Sequence, residues 1–168
     1  MNSSICKNFL CPILALAVLF CPSCGRKNAS AEEILYKICA SLELPAGKTY
    51  LLEATEGEEN YLSPDTAQGL YGSSSVKEDF PLIEDYAIYL SSSLPCEIAV
   101  FKCYSRSDTD SVSAMCLERA DELAVLMKNT ELNGISQSAT VITDKKYVVM
   151  LLCEDTEKAR EIALRALG

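Results

Sequence analysis

The sequence predicts an α+β fold: a two-layer sandwich whose four-stranded antiparallel sheet, in the order β-β-α-β-β-α, has helices packed on one face and two N-terminal helices before it. Three observations carry this expectation. Residues 86–90 (YAIYL) and 97–104 (EIAVFKCY) are β-type runs joined by a Ser/Pro loop, as in an antiparallel pair. Residues 140–143 (TVIT) and 147–153 (YVVMLLC) flank Asp144, Lys145 and Lys146 and read as a second hairpin. Between the two pairs, and again after the second, apolar residues recur at helical spacing. The 168 residues, 49% apolar and 23% charged, suit one globular domain.

The chain opens on an address. Lys7 is the only charge before an apolar run at residues 9–20, the pattern of a secretory signal. Pro12 interrupts this run, and Pro22, Gly25, Arg26 and Lys27 follow it, which disfavours a permanent span of ~20 apolar residues. Ser23-Cys24-Gly25, directly after the run, has the form of a bacterial lipobox, so Cys24 is the expected lipidation site and mature N-terminus. Cys21, where lipoboxes usually carry Leu, and Pro22 depart from that pattern. Ala29-Ser30-Ala31 competes as an ordinary signal-peptidase site, with secretion as its outcome, although it lies farther from the run. The expected organisation is a signal peptide at 1–23, a tether at 24–30 and one domain at 31–168. Lipidation implies an extracytoplasmic protein anchored to the membrane by its N-terminal lipid. Removal of residues 1–23 deletes Lys7 alone and leaves 24 acidic against 14 basic residues.

Within the domain, Ser30 and Glu33 form a capping box that opens a helix, with Ile34, Leu35, Ile38, Cys39 and Leu42 on one face. Pro45 and Gly47 end it. The pattern then weakens: Tyr50, Leu51 and Leu52 are a candidate short strand, and residues 53–60 are acidic, without apolar periodicity, and dispensable. Ser63, Pro64 and Asp65 start a second helix, which Leu70-Tyr71-Gly72 closes. Asp108 or Ser107 caps the longest helix, near 109–128, whose inner stripe is Val112, Met115, Cys116, Leu123, Leu126 and Met127. The run 147–153 is apolar throughout, as befits a central strand covered on both faces. Asp155 caps a last helix, with Ala159, Ile162, Ala163, Ala166 and Leu167 facing inward.

Composition narrows the chemistry. A net charge of −9 argues against a nucleic-acid partner, which needs a basic surface. The absence of His removes Ser-His-Asp and Cys-His pairs and His-ligated metals. Of nine Cys, Cys39, Cys96, Cys103, Cys116 and Cys153 fall in the domain, an odd number among apolar neighbours, and read as buried thiols. Cys21-Pro22-Ser23-Cys24 spells C-x-x-C, but no second copy completes a metal site and no strand–turn–helix context makes it a redox motif. Nine acids between Glu53 and Asp85 lack the spacing of a calcium loop and read as solvated charge. No metal or cofactor is expected. Tyr86 and Tyr89 alternate across their strand, so at least one is expected on the open face of the sheet, as a candidate partner-contact surface.

The leader, the opening Ala31-Glu32-Glu33-Ile34-Leu35, the helix end Leu70-Tyr71-Gly72 and the runs 83–90 (IEDYAIYL) and 97–102 (EIAVFK) carry a resemblance. So do the long helix that follows and the terminal strand and helix. Together they resemble a family of small extracytoplasmic lipoproteins of Gram-positive bacteria, known as a domain of unknown function. The resemblance covers most of residues 31–167, implies surface anchoring, and carries over no catalytic residue. The sequence thus points to a lipid-anchored, non-enzymatic binding module with an envelope protein as partner. The alternative is an envelope hydrolase using Asp, Glu or a Cys thiol.

Overall fold

The computed structural model describes residues 29–71, 80–93 and 95–168. The expected leader, Cys24 and the C-x-x-C spacing lie outside the described residues. The elements are α1 (Ala31–Cys39), β1 (Gly47–Leu51), α2 (Pro64–Tyr71), β2 (Ile83–Ser91), β3 (Glu97–Cys103), α3 (Thr109–Met127), α4 (Asn133–Ser136), β4 (Thr140–Asp144), β5 (Tyr147–Leu152) and α5 (Thr156–Leu167).

Local chemistry explains the helix ends. The Ser30 hydroxyl accepts from the Glu33 N–H at 3.1 Å, and the Glu33 carboxylate accepts from the Ser30 N–H at 3.3 Å, closing the expected capping box. The Asp155 carboxylate accepts from the Lys158 N–H at 3.2 Å and starts α5. Asp108 sits at the N-cap of α3 but makes no side-chain cap bond there; its carboxylate instead accepts from the Ser105 N–H at 2.9 Å.

One antiparallel sheet runs in the order β1-β2-β3-β5-β4. Both expected hairpins are present. The sheet is five-stranded, however, not four-stranded, because β1 pairs along β2 from Gly47 opposite Ser91 to Leu51 opposite Ala87. Gly47 permits this close approach: a Cβ there would strike the Leu90 carbonyl oxygen and the Tyr89 ring. The residues that open β1, Gly47, Lys48 and Thr49, are exposed, so the strand has no buried alternation to read.

The layering also differs from expectation. Ala87, Tyr89, Ile98, Val100, Val149 and Leu151 pack with α1 and α5 on one side of the sheet. Tyr86, Ile88, Ala99, Phe101, Val148 and Met150 pack with α2 and α3 on the other. Helices therefore cover both faces, and the arrangement has three layers. Every residue of β5 is buried, as a central strand between β3 and β4 requires. Leu126, expected on the inner stripe of α3, is 70% exposed. Among the described residues no helix is long and apolar enough to cross a membrane.

Candidate functional site

Glu97 is the first residue of β3 and the only charged residue in the buried class among those described. Strand alternation turns its carboxylate to the α3 side, where Arg119 meets it at two points: Nη2 donates to Oε2 at 2.9 Å and Nε to Oε1 at 3.3 Å. Tyr71, at the end of α2, donates its phenolic hydrogen to Oε1 at 2.6 Å. The Tyr71 ring stacks edge-on against Phe101 with centroids 5.0 Å apart, and the Arg119 guanidinium lies 5.9 Å from the Tyr71 centroid. Burial, then the Glu97 charge, raises the Tyr71 phenol well above its ordinary range. Burial opposes the Arg119 charge, but the hydrogen bonds and charge of Glu97 outweigh it and hold the guanidinium protonated. A groove of about 340 Å³ reaches this trio between the β2–β3 connection and the end of α3. Its charged groups are spent on each other.

At the opposite end of β3, Glu84 takes a hydrogen bond and ion pair from Lys102 at 2.8 Å and a second from Lys146 at 2.5 Å. These two hydrogen bonds lower the Glu84 carboxyl pKa. The neighbouring Asp85 carboxylate accepts from the Ala31 N–H at 2.8 Å, and the Tyr147 hydroxyl donates to the Ala29 carbonyl at 2.7 Å. These two bonds fasten the start of α1, where the expected tether enters the domain. The remaining acids of the stretch 53–65, namely Glu53, Glu56, Glu58, Glu59 and Asp65, are exposed, as expected of solvated charge. Glu78 and Asp79 lie outside the described residues. No group of acids or thiols able to hold a metal ion occurs among the described residues.

Tyr86 and Tyr89 do fall on opposite faces, but neither faces solvent. Tyr86 is 1% and Tyr89 9% exposed. The Tyr86 hydroxyl donates to the Leu62 carbonyl at 3.1 Å, and the Tyr89 hydroxyl donates to that of Pro45. With helices on both sides, the sheet has no open face to display them. That expectation is corrected.

Of the exposed large apolar side chains among the described residues, Tyr36, Tyr104 and Leu164 lie elsewhere, and three lie on α3. Leu117, Val125 and Leu126 are 52%, 72% and 70% exposed, interleaved with the exposed acids Asp121 and Glu122 and with Glu118. Glu118, Asp121, Glu122 and Val125 recur at helical spacing and share one outward stripe. They line an open, mostly apolar surface depression with Leu126.

No family model, no curated protein and no solved structure matches the chain.

Neither the Glu97 trio nor the α3 ridge was anticipated from sequence. Glu97 stands as the one charge opening an apolar strand run, a signal of buried pairing once both faces are covered. Val125 and Leu126 are adjacent in the sequence, and neighbours on a helix point about 100° apart, so at most one of them fits a single inner stripe.

Proposed function

We propose that the chain is a lipid-anchored extracytoplasmic protein, acylated at Cys24, whose domain is a non-enzymatic binding module for another envelope protein. The leader pattern and the resemblance to small Gram-positive lipoproteins support the anchor. The observation that carries the binding reading is the solvent-facing apolar surface of Val125 and Leu126 beside Glu118, Asp121 and Glu122. Its chemistry suits a partner with an apolar patch bordered by Lys or Arg. The commitment of Glu97 and Arg119 to each other, and of Glu84 to two lysines, favours binding over a hydrolase.

Cys24 and Ala29 are five residue steps apart, at most about 18 Å of fully extended chain, and the Tyr147 hydroxyl holds the Ala29 carbonyl at the start of α1. α1, which follows the expected tether in the chain, packs on the side of the sheet away from α3.

Two measurements test the proposal. Cys24→Ala is expected to abolish acyl mass and move the protein out of the membrane fraction; unchanged retention without acyl mass contradicts the anchor. The Val125→Asp, Leu126→Asp double variant is expected to melt like wild type and lose the envelope protein that wild type captures. Equal capture by both contradicts the ridge as the binding surface.

A further inference from the structure

The ladder between β3 and β5 ends at Glu97 opposite Leu152, and continued by one residue it brings two thiols into line. Its register runs from Lys102 opposite Tyr147 to Glu97 opposite Leu152, so the next positions in line are Cys96 and Cys153. The Cys103 N–H donates to the Lys146 carbonyl at 2.8 Å, one step beyond the other end of the same ladder. That bond makes Cys103/Lys146 a hydrogen-bonded pair, and alternation makes Glu97/Leu152 another and Cys96/Cys153 a non-hydrogen-bonded one. A second bond agrees: the Cys96 carbonyl accepts from the Ser91 N–H at 2.9 Å, so the Cys96 backbone points at β2 and away from β5. Non-hydrogen-bonded pairs hold their Cα atoms about 4.5 Å apart with side chains on one face, inside the ~4.4–6.8 Å range of disulfides. Both thiols belong to the cluster under α1 and α5, and both line one pocket of about 360 Å³ beneath Leu42, Leu44 and Pro45. Cys103 and Cys116 lie in the cluster on the other side of the sheet.

We propose that Cys96 and Cys153 are a modification site: a cross-strand dithiol that a low-molecular-weight disulfide oxidises to an intramolecular disulfide. The proposal rests on the ladder alone and does not depend on where the protein resides or what it binds. Burial pushes the Cys96 thiol up to about 12 and raises Cys153 as well; at Cys153 the Thr156 side chain opposes the rise, the Asp155 charge adds to it and the Asp155 N–H opposes it. Either thiol can attack first with the same balance of atoms. With Cys153 first, its thiolate attacks one sulfur of the oxidant, forming a mixed disulfide and expelling one thiolate. The Cys96 thiolate then attacks the Cys153 sulfur, forming the protein disulfide and expelling the second thiolate. Two protein thiols and one small disulfide become one protein disulfide and two small thiols, with the two thiol protons passing to the leaving thiolates. The remaining thiol of that cluster, Cys39 on α1, is half-buried and is the competitor for either sulfur.

The test uses the full chain, reduced, then incubated with oxidised glutathione under native conditions and mapped by peptide mass spectrometry. The expected result is a Cys96–Cys153 cross-linked peptide pair, about 2 Da lighter than its reduced parts, as the dominant link within the domain. In denaturant the links are expected to scatter among all the cysteines. Closing a loop of about 58 residues is expected to raise the melting temperature by roughly 10 °C, a gain that dithiothreitol reverses. A native-state map in which Cys39 links to either residue more often than they link to each other overturns the proposal. So does the absence of any Cys96–Cys153 link.

Discussion

Arg119 grips Glu97 at two points, at 2.9 and 3.3 Å, across the boundary between the longest helix and a central strand. The pair joins two layers of the fold at a place with little water, the Arg119 and Glu97 side chains being 15% and 5% exposed. Such a pair specifies one arrangement more than it stabilises it, because removing two charges from water offsets most of their attraction.

Glu97→Ala should therefore cost more than the pair is worth. Arg119 would be left charged and buried, and Tyr71 without its acceptor, a loss of about 3–5 kcal/mol. The double variant Glu97→Leu, Arg119→Met should recover most of that loss. Urea denaturation of both variants checks the order.

Stability should fall in alkali. Burial raises Cys39 and Cys96 to about 12 and Cys103 to about 11, and also lifts Cys116, Cys153 and Tyr71. The unfolded thiols release their protons near pH 9, so above that pH the folded state binds more protons than the unfolded state. Stability is complete below pH 9 and declines as pH rises toward 12, by up to about 1.4 kcal/mol per pH unit for each thiol. Thermal melts of the reduced protein from pH 8 to 11 should show this decline, and a flat profile would contradict it.

Acid should act on Glu84. Its folded pKa is lowered, first by the hydrogen bond from Lys102 and then by that from Lys146. That contribution is complete above its unfolded pKa and is lost as pH falls through the folded value. The group is partly exposed, so the effect is about 1 kcal/mol or less. Glu84→Gln should lose part of this at neutral pH and show a shallower acid limb than wild type.

The core and the acidic turn should respond oppositely. Leu151 is fully buried in β5, and Leu151→Ala should cost about 2–5 kcal/mol once the cavity is counted. Deleting residues 53–60 removes mostly exposed side chains, three backbone bonds to the flanking residues (Leu51 N–H to Asn60, Ala54 N–H to Leu51 and Tyr61 N–H to Glu58), the exposed Lys48–Glu59 ion pair, and Gly57 with its left-handed φ of 99°. That deletion should cost less than Leu151→Ala, and thermal melts of the two variants rank them.

Much of this fold is written in short-range chemistry. The Ser30–Glu33 box, the Asp155 cap and both hairpins follow from residues within a few positions of one another, and all are present. β1 was only partly legible, because Gly47, Lys48 and Thr49 form an exposed edge that holds its place through pairing and a glycine contact with Tyr89. The second helical layer had a readable trace. Residues 86–89 and 98–101 are apolar at consecutive positions, which is the mark of a strand buried on both faces. With these two runs covered on both sides like 147–153, the sheet has no open face for Tyr86 and Tyr89. The Glu97 trio was not legible, since Tyr71, Glu97 and Arg119 come from three elements and meet only when α2 and α3 pack on one side of β3.

The proposed partner surface is the outward face of α3 around Val125 and Leu126. A photo-reactive amino acid placed at Val125 of the full chain, expressed in cells and irradiated, tests it most directly. The account predicts a discrete cross-linked envelope protein from position 125 that is absent when the same group replaces Tyr36, an equally exposed side chain on α1. Cross-linking from Tyr36 with none from Val125 would contradict it.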